Sequence, residues 1–199
     1  AVPSHSVREL MNNSCKYFTD ETIIVNLSKG LENNSLKTMS EVILEVSGVG
    51  QKRIASLYGP SHAEEVLKGF PTTLVAASID KKTSVLVQDI FSSDVLRVYS
   101  NNDLKGVELG GSLKNVIAIA TGICDGIGFG DNTKAALLTR GLAEITRLGK
   151  LMGAKESTFS GLSGIGDLIA TSFSEHSRNR YVGKRIGQGD SLDIILSDL

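Results

Sequence analysis

Apolar residues in the first half of the chain form short runs separated by stretches with helical spacing. Runs of this length that end at glycine, proline or polar residues are typical of β-strands. The pattern predicts strands over residues 23–28, 53–58, 72–77 and 96–99. It predicts helices over 40–45 and 81–91, and a further helix that Ser61 caps with Glu64 in a capping-box pattern. Strands alternating with helices indicate an α/β sheet.

Polar residues follow two of these strands directly. Lys29 comes after the first strand and Gly59 and Ser61 come after the second. Ligands of α/β sheets bind beyond the carboxyl ends of the strands, so these positions are candidates for a binding site. Lys29 either meets an anionic substrate there or is an ordinary surface residue, and its local sequence does not separate the two.

The character of the chain changes near residue 104, and no strand is predicted after it. Leu113, Val116, Ile117 and Ala120 share one helical face, and residues 132–152 form a long amphipathic pattern. We therefore predict an α/β part over 1–104, followed by an all-helical domain over 105–199.

A single lysine, Lys114, interrupts the most apolar of the predicted helices. Small residues precede it at Gly110, Gly111 and Ser112, where a second backbone or a ligand can come close. Burial without a partner is costly for a lysine and lowers its pKa toward the range useful for proton transfer. Lys114 is thus either a catalytic group or a side chain that extends along the helix surface to water.

Two glycine-rich segments, 122–130 and 161–166, resemble parts of phosphate-binding loops. Each follows a predicted helix, whereas a dinucleotide fingerprint requires a preceding strand. We interpret residues 122–130 as a flexible connection between helices. The second segment leads into Asp167, which its glycines bring close to a neighbouring backbone or ligand.

A hydroxyl, a guanidinium and an amide occupy the consecutive positions Ser177, Arg178 and Asn179. Arginine binds two phosphate oxygens at once, and the neutral groups supply further hydrogen bonds. The alternative is a solvated helix start with Ser177 as its N-cap. The sequence leaves both interpretations open.

Composition narrows the classes of function. The 199 residues carry 21 Lys plus Arg and 22 Asp plus Glu, a net charge of −1, with no basic block that favours nucleic acid. Cys15 and Cys124 lack the spacing of a disulfide or metal site and are predicted to be reduced core thiols, and three scattered histidines argue against zinc. No apolar run reaches a membrane-spanning length of roughly 18 residues, so we expect a cytoplasmic protein without a membrane span.

Several ordered segments together resemble the prokaryotic type of NAD(P)-dependent glycerol-3-phosphate dehydrogenase. They are residues 1–4 (AVPS), 28–32 (SKGLE), 38–42 (TMSEV), 59–66 (GPSHAEEV), 106–116 (GVELGGSLKNV), 134–144 (KAALLTRGLAE), 161–168 (GLSGIGDL) and 177–180 (SRNR). Each is weak alone, but their common order spans nearly the whole chain. The resemblance implies hydride transfer between NAD or NADP and the pair glycerol 3-phosphate and dihydroxyacetone phosphate, which supplies glycerol phosphate for phospholipid synthesis. It also implies a partial Rossmann-like domain before the helical substrate domain.

The resemblance also implies roles for individual residues. Lys114 matches the general acid/base at the C2 oxygen of the substrate. The substrate-binding positions that match are Lys29, Gly59, Ser61, Lys114, Asp167, Ser177, Arg178 and Asn179. Lys29, Ala63 and Arg178 match cofactor contacts, while Asn115 and Thr171 support the same pocket. His62 stands where phenylalanine is common in the family. Because a histidine beside Ser61 can gain a proton near neutral pH, we hypothesise that substrate affinity depends on pH.

The chain departs from the family mainly by what it lacks. The family begins with a strand, a GxGxxG turn and a helix that hold the cofactor pyrophosphate, and no such unit precedes Ala1. We expect an internal piece of a longer protein that lacks both ends, binds cofactor poorly and turns over negligibly by itself. The choice between NAD and NADP depends on a residue outside this chain, and a homodimer is expected from the resemblance alone.

Two other functions remain open. A related two-domain dehydrogenase of hydroxy acids would also place a lysine and an asparagine on the first helix of its helical domain. Such an enzyme would not need a phosphate cluster at Ser177, Arg178 and Asn179. A non-catalytic fragment that acts as a binding module is the other alternative, although retention of Lys114, Asp167 and Arg178 argues against long decay.

Overall fold

A computed structural model describes residues 1–198 of the chain. The first part contains a four-stranded sheet. Its strands are β1 (Ile24–Asn26), β2 (Ile54–Tyr58), β3 (Thr72–Ala77) and β4 (Leu96–Asn101). The helices around it are α1 (Val7–Ser14), α2 (Met39–Ser47), α3 (Ala63–Leu67) and α4 (Lys81–Phe91). Each predicted strand is present, with ends that coincide with the prediction or differ from it by one or two residues.

The strands lie in the order β1-β2-β3-β4, and their directions are mixed. β1 and β2 are parallel, with Asn26 opposite Ser56, whereas β3 runs antiparallel to β2 and parallel to β4. Parallel strands end at the same edge of a sheet. The segments that follow β1 and β2 therefore lie side by side and together face the second part of the chain.

Helices alone form the described remainder of the chain. They are α5 (Leu104–Ile127), α6 (Asp131–Leu151), α7 (Glu156–Phe159), α8 (Asp167–Phe173), α9 (Arg178–Gly187) and α10 (Leu192–Ser197). A single π-helical turn at Leu162–Gly166 leads directly into α8. An α/β part followed by an all-helical part is the fold class that the sequence predicts, and it is confirmed.

α5 is the central helix of the second part. Its 24 residues are long and apolar enough to cross a membrane by length and composition. Half of the most apolar 18-residue stretch of α5 is buried, because α6, α8 and α9 pack around the helix. This is the environment of a core helix in a folded domain.

Two local predictions are wrong. Ser61 does not cap α3, because the N-cap is His62 and its side chain makes no capping hydrogen bond. Glu64 instead lies in the first turn, where the helix dipole favours a carboxylate. Cys15 and Cys124 are free but only partly buried, and neither belongs to the core.

The glycine-rich segment 122–130 is not a flexible connection either. Most of it is helical, since α5 continues to Ile127 and only residues 128–130 link it to α6. A Cβ atom on Gly122 would lie 2.9 Å from the backbone nitrogen of Lys184 in α9, and one on Gly126 would lie 2.8 Å from the Cα of Gly187. The glycines therefore let α5 and α9 pack backbone against backbone.

Candidate active site

One cavity collects most of the residues that the sequence singles out. It lies between the carboxyl ends of β1 and β2, the middle of α5, and the segment from α8 to the start of α9. Its volume is about 200 Å³. Its lining consists of Lys29, Ser61, His62, Lys114, Asn115, Asp167, Thr171, His176, Ser177, Arg178 and Asn179.

Lys114 points into this cavity from α5. The residue is only 6% exposed, and its Nζ donates a hydrogen bond of 2.6 Å to Oδ1 of Asp167 and another to Oγ1 of Thr171. The alternative in which this side chain extends to water is therefore wrong. Thr171 lies one turn after Asp167 in α8 and also donates to the Asp167 backbone carbonyl, so α8 presents both partners together.

Lys29 approaches the same carboxylate from the end of β1. Its Nζ donates to Oδ2 of Asp167 at 2.7 Å and to the carbonyl oxygen of Gly59 at 3.0 Å. Asp167 is 2% exposed and bridges two ammonium groups, one on each oxygen. The ammonium group of Lys29 is thus bound within the site, and the interpretation of Lys29 as an ordinary surface residue is wrong.

Burial and charge set the protonation of Lys114. Burial lowers the pKa of its ammonium group to about 8, and the positive charge of Lys29 acts in the same direction. The carboxylate of Asp167 opposes both effects but does not cancel them. A lysine in this range holds or releases a proton near neutral pH, as a general acid/base requires.

The wall opposite the lysines is formed by the start of α9. Ser177 is the N-cap of this helix and accepts a hydrogen bond of 3.2 Å from the backbone N–H of Arg180. Arg178 and Asn179 occupy the first turn and line the cavity, and Arg178 has no carboxylate partner within residues 1–198. The N-cap interpretation is therefore correct for Ser177, and it is compatible with an anion site at this helix end.

An ion-pair cluster that the sequence did not reveal holds this helix start in place. Asp125 of α5 accepts a 2.7 Å hydrogen bond from Nε of Arg180 and pairs with Nζ of Lys134 at 2.9 Å. Burial pushes the pKa of Asp125 up, but its bonds to Lys134 and Arg180 outweigh burial and lower it overall. The ionised carboxylate therefore joins α5, α6 and α9 through residues outside the cavity lining.

Two predicted positions contribute differently from the rest. Gly59 lies at the end of β2 with φ of 145° and offers its carbonyl oxygen to Lys29. Ala63 is the first residue of α3 and lies outside the cavity lining. No side chain caps this end of α3, so the structure leaves the Ala63 amide accessible to a ligand beside the cavity.

Models of known protein families match nearly the whole chain. Residues 1–84 match the N-terminus of NAD-dependent glycerol-3-phosphate dehydrogenase, and residues 103–199 match its C-terminus. The chain belongs to this family. It is 55% identical over 200 residues to the glycerol-3-phosphate dehydrogenase [NAD(P)+] of Pelodictyon phaeoclathratiforme and 57% identical to that of Prosthecochloris aestuarii.

Each alignment covers all of this chain and 60% of the relative. A crystal structure of glycerol-3-phosphate dehydrogenase from Coxiella burnetii superimposes with a TM-score of 0.93 at 38% identity. That alignment covers 99% of this chain and 60% of the other. The chain thus spans about 60% of the length of the family members that it matches.

Histidines at the mouth of the cavity are a further feature of this family member. The rings of His62 and His176 lie 6.2 Å apart, one from the loop before α3 and one from the loop before α9. This pairing could not be predicted from the sequence, because the two residues are far apart in the chain. Within residues 1–198, no group of three His, Cys, Asp or Glu side chains is placed to hold a metal ion.

Proposed function

We propose that the protein containing this chain interconverts sn-glycerol 3-phosphate and dihydroxyacetone phosphate with NAD or NADP. One observation carries the proposal. Asp167 bridges the buried Lys114 and Lys29 in a cavity whose other wall is the Ser177–Arg178–Asn179 helix start. An acid/base amine and an anion site thereby line the same cavity, which is what a small phosphate ester with a reacting carbonyl requires.

Lys114 performs the proton transfer in this proposal. During reduction its ammonium group donates a proton to the C2 oxygen as hydride reaches C2, which converts the ketone into an alcohol. During oxidation the neutral amine takes the hydroxyl proton back. A pKa of about 8 makes both states of Lys114 accessible, so one residue serves both directions.

Asp167 and Lys29 keep this amine in position. Asp167 fixes Nζ of Lys114 through its Oδ1 atom and stabilises the charged form, while its other oxygen holds Lys29. Lys29 adds positive charge beside the substrate oxygen, where negative charge develops during reduction. Asn115 and Thr171 complete the wall around the reacting carbon.

The phosphate group binds to Ser177, Arg178 and Asn179, while Ser61 lines the substrate site with them. Arg178 has no carboxylate partner among the described residues, so its guanidinium is available to two phosphate oxygens. The amides of the first turn of α9 and the positive end of the helix dipole add to this attraction. A carboxylate substrate would not require such a cluster, which favours a phosphate over a hydroxy acid.

The nicotinamide cofactor supplies or accepts the hydride when it is bound. Lys29, Ala63 and Arg178 are the residues of this chain that would hold it, and the uncapped amides at the start of α3 suit an anionic group. Residues 1–104 thus form part of the nucleotide-binding domain, and residues 105–199 form part of the helical substrate domain.

The proposal includes a cytoplasmic enzyme that supplies glycerol phosphate for phospholipids and forms a homodimer. The burial of α5 within the helical part supports a location outside the membrane. An open apolar groove supports a protein interface, since its lining includes Leu113, Val116, Ile117, Leu148 and Leu151. Analytical ultracentrifugation of the full-length protein tests the dimer, and a monomer at micromolar concentration would contradict it.

The experiment that tests the function compares substrates. Full-length protein is mixed with NADH or NADPH and with dihydroxyacetone phosphate, dihydroxyacetone or a keto acid, and loss of cofactor absorbance is followed. We expect turnover with the phosphate ester, and Arg178→Ala should raise its KM at least 10-fold because two charge-assisted hydrogen bonds are lost. Turnover of the keto acid in place of the ester would refute the substrate assignment.

A further inference from the structure

A second buried carboxyl group, outside the cavity, connects the two parts of the fold. Glu108 of α5 is 0% exposed, and no Lys, Arg or His side chain pairs with it within residues 1–198. Its Oε1 accepts hydrogen bonds from Nδ2 of Asn26, the backbone N–H of Ser40 and Oγ of Ser56, at 3.2, 3.0 and 2.7 Å. Its Oε2 lies 2.6 Å from Oγ of Ser40. All of these partners belong to the sheet and α2, whereas Glu108 belongs to the helical part.

The network continues to the segment that carries Lys29. Nδ2 of Asn26 lies 3.0 Å from the Tyr58 hydroxyl, which donates to the backbone carbonyl of Ser28. The Tyr58 ring also lies beneath Lys29, whose Nζ is 5.8 Å from the ring centroid. Glu108 is thus joined through Asn26 and Tyr58 to the residues that place the Lys29 ammonium.

A second route leads from the same turn of α5 to the same segment. The backbone carbonyl of Glu108 accepts a 2.7 Å hydrogen bond from the Ser112 hydroxyl, and this hydroxyl accepts one of 3.0 Å from the backbone N–H of Gly30. The loop that follows β1 is therefore held to α5 on both sides of Lys29. Lys114 lies on the same helix, so displacing α5 against the sheet changes the separation of the two lysines at Asp167.

We propose that Glu108 is a positioning residue that fixes α5 against the ends of β1 and β2, so that Lys114 and Lys29 share Asp167. The inference rests on the proposed function, because it assigns Glu108 to the same proton transfer. Glu108 itself lies outside the cavity lining and touches no substrate. Glu108 acts through the hydrogen bonds that its two side-chain oxygens make, and this role does not require a negative charge.

The surroundings of Glu108 show why charge is dispensable. Burial is the largest influence on this carboxyl group and raises its pKa above the usual range, which favours the neutral acid. The Ser40 hydroxyl lies 3.3 Å from Oγ1 of Thr38, so it can turn to donate there. A glutamine at position 108 would then accept the three bonds at Oε1 and donate its amide N–H to Ser40.

The test measures kcat and KM for dihydroxyacetone phosphate in full-length Glu108→Ala, Glu108→Gln and Val87→Ala. We expect kcat of Glu108→Ala to fall about 10- to 100-fold, the effect of misplacing a catalytic group by up to about 1 Å, with KM nearly unchanged. Glu108→Gln should retain wild-type kcat. Val87 of α4 is buried against the sheet and does not line the cavity, so its alanine variant controls for lost stability alone and should keep kcat.

Wild-type kcat in folded Glu108→Ala, or equal losses in the alanine and glutamine variants, would overturn the inference. If Glu108→Ala does not fold, Ser112→Ala tests the second route, because it removes the hydroxyl that joins the Gly30 amide to the Glu108 backbone carbonyl and should lower kcat. Wild-type kcat in that variant would also overturn the inference.

A measurement without substrate separates this inference from the proposed function. Lys114 is labelled with an amine reagent across pH, and its modification is followed by mass spectrometry. In Glu108→Ala the pH of half-maximal labelling should rise from about 8 toward that of an ordinary lysine, because water enters beside a displaced α5. In Glu108→Gln this pH should stay at the wild-type value. Inactivity of every form with dihydroxyacetone phosphate would refute the function, whereas an unchanged labelling profile in Glu108→Ala would refute the role of Glu108.

Discussion

Replacing Gly183 with alanine tests whether the packing of α9 on α5 places the phosphate site. A Cβ atom at position 183 would lie 2.9 Å from the carbonyl carbon of Ile119 and 3.0 Å from the backbone nitrogen of Ile123, and still closer to the Ile119 oxygen. Carbon atoms in contact prefer about 3.5–4.0 Å, and the Ile119 oxygen is the nearest atom of all, so the two helices must separate by roughly 1 Å or more. The atoms in the way belong to the backbone and cannot move aside by changing a rotamer.

Two opposing terms set the size of this effect. Overpacking of this kind costs about 1–3 kcal/mol, and alanine regains about 1 kcal/mol relative to glycine within a helix. The free energy of unfolding should therefore decrease by up to about 2 kcal/mol. Because Arg178 and Asn179 begin the same helix, the KM for dihydroxyacetone phosphate should rise about 10- to 100-fold.

Urea denaturation and steady-state kinetics of the full-length protein measure both quantities. Gly50→Ala is the matched control, because a Cβ atom there meets nothing within 4 Å and its φ of −59° suits alanine. The control should be as stable as the wild type or slightly more stable. A Gly183→Ala protein with wild-type unfolding free energy and wild-type KM would refute the reasoning.

Three further predictions concern side chains that line the cavity. The kcat/KM for ketone reduction should stay level below a pH of about 8 and fall above it, because Lys114 must be protonated to donate a proton. The kcat/KM for alcohol oxidation should instead rise with pH, and a reduction profile without the fall would contradict the role of Lys114 as an acid. Asp167→Asn removes the anion that stabilises the Lys114 ammonium, so the pH profile of ketone reduction should move to lower pH by about 1 unit or more and kcat should decrease. An unshifted profile would show that Asp167 does not control the protonation of Lys114. His62 lines the cavity beside Ser61, so His62→Phe should change the KM for dihydroxyacetone phosphate more than kcat, and a wild-type KM would dispose of a role for His62.

Local pattern was sufficient for most of the fold. The strands were predictable because each is a short apolar run that ends at a polar or glycine-containing turn, and β1 and β2 therefore placed Lys29 and Gly59 correctly at one sheet edge. Lys114 could also be singled out from the sequence, because a lysine is unusual within so apolar a helix. The prediction of Ser61 as a helix cap failed, because the chain stays extended through His62 and the helix begins one residue later.

The pairings within the site could not be read from the sequence. Lys29 and Asp167 are 138 residues apart, and nothing local indicates that one carboxylate bridges two lysines. The Glu108 network is hidden for the same reason, since its partners come from β1, α2 and β2. The helix packing did leave a signal, because Gly122 and Gly126 in α5, and Gly183 and Gly187 in α9, each repeat at a spacing that puts them on one helical face.

The central claim is that Lys114 transfers the proton while the start of α9 holds the phosphate. The most direct test measures turnover and binding of dihydroxyacetone phosphate by full-length Lys114→Ala, with absorbance for turnover and calorimetry for binding. The account predicts that kcat falls at least 100-fold, as loss of a general acid does, while the affinity for the phosphate ester stays within a few-fold of wild type. Near-normal turnover in Lys114→Ala would contradict it.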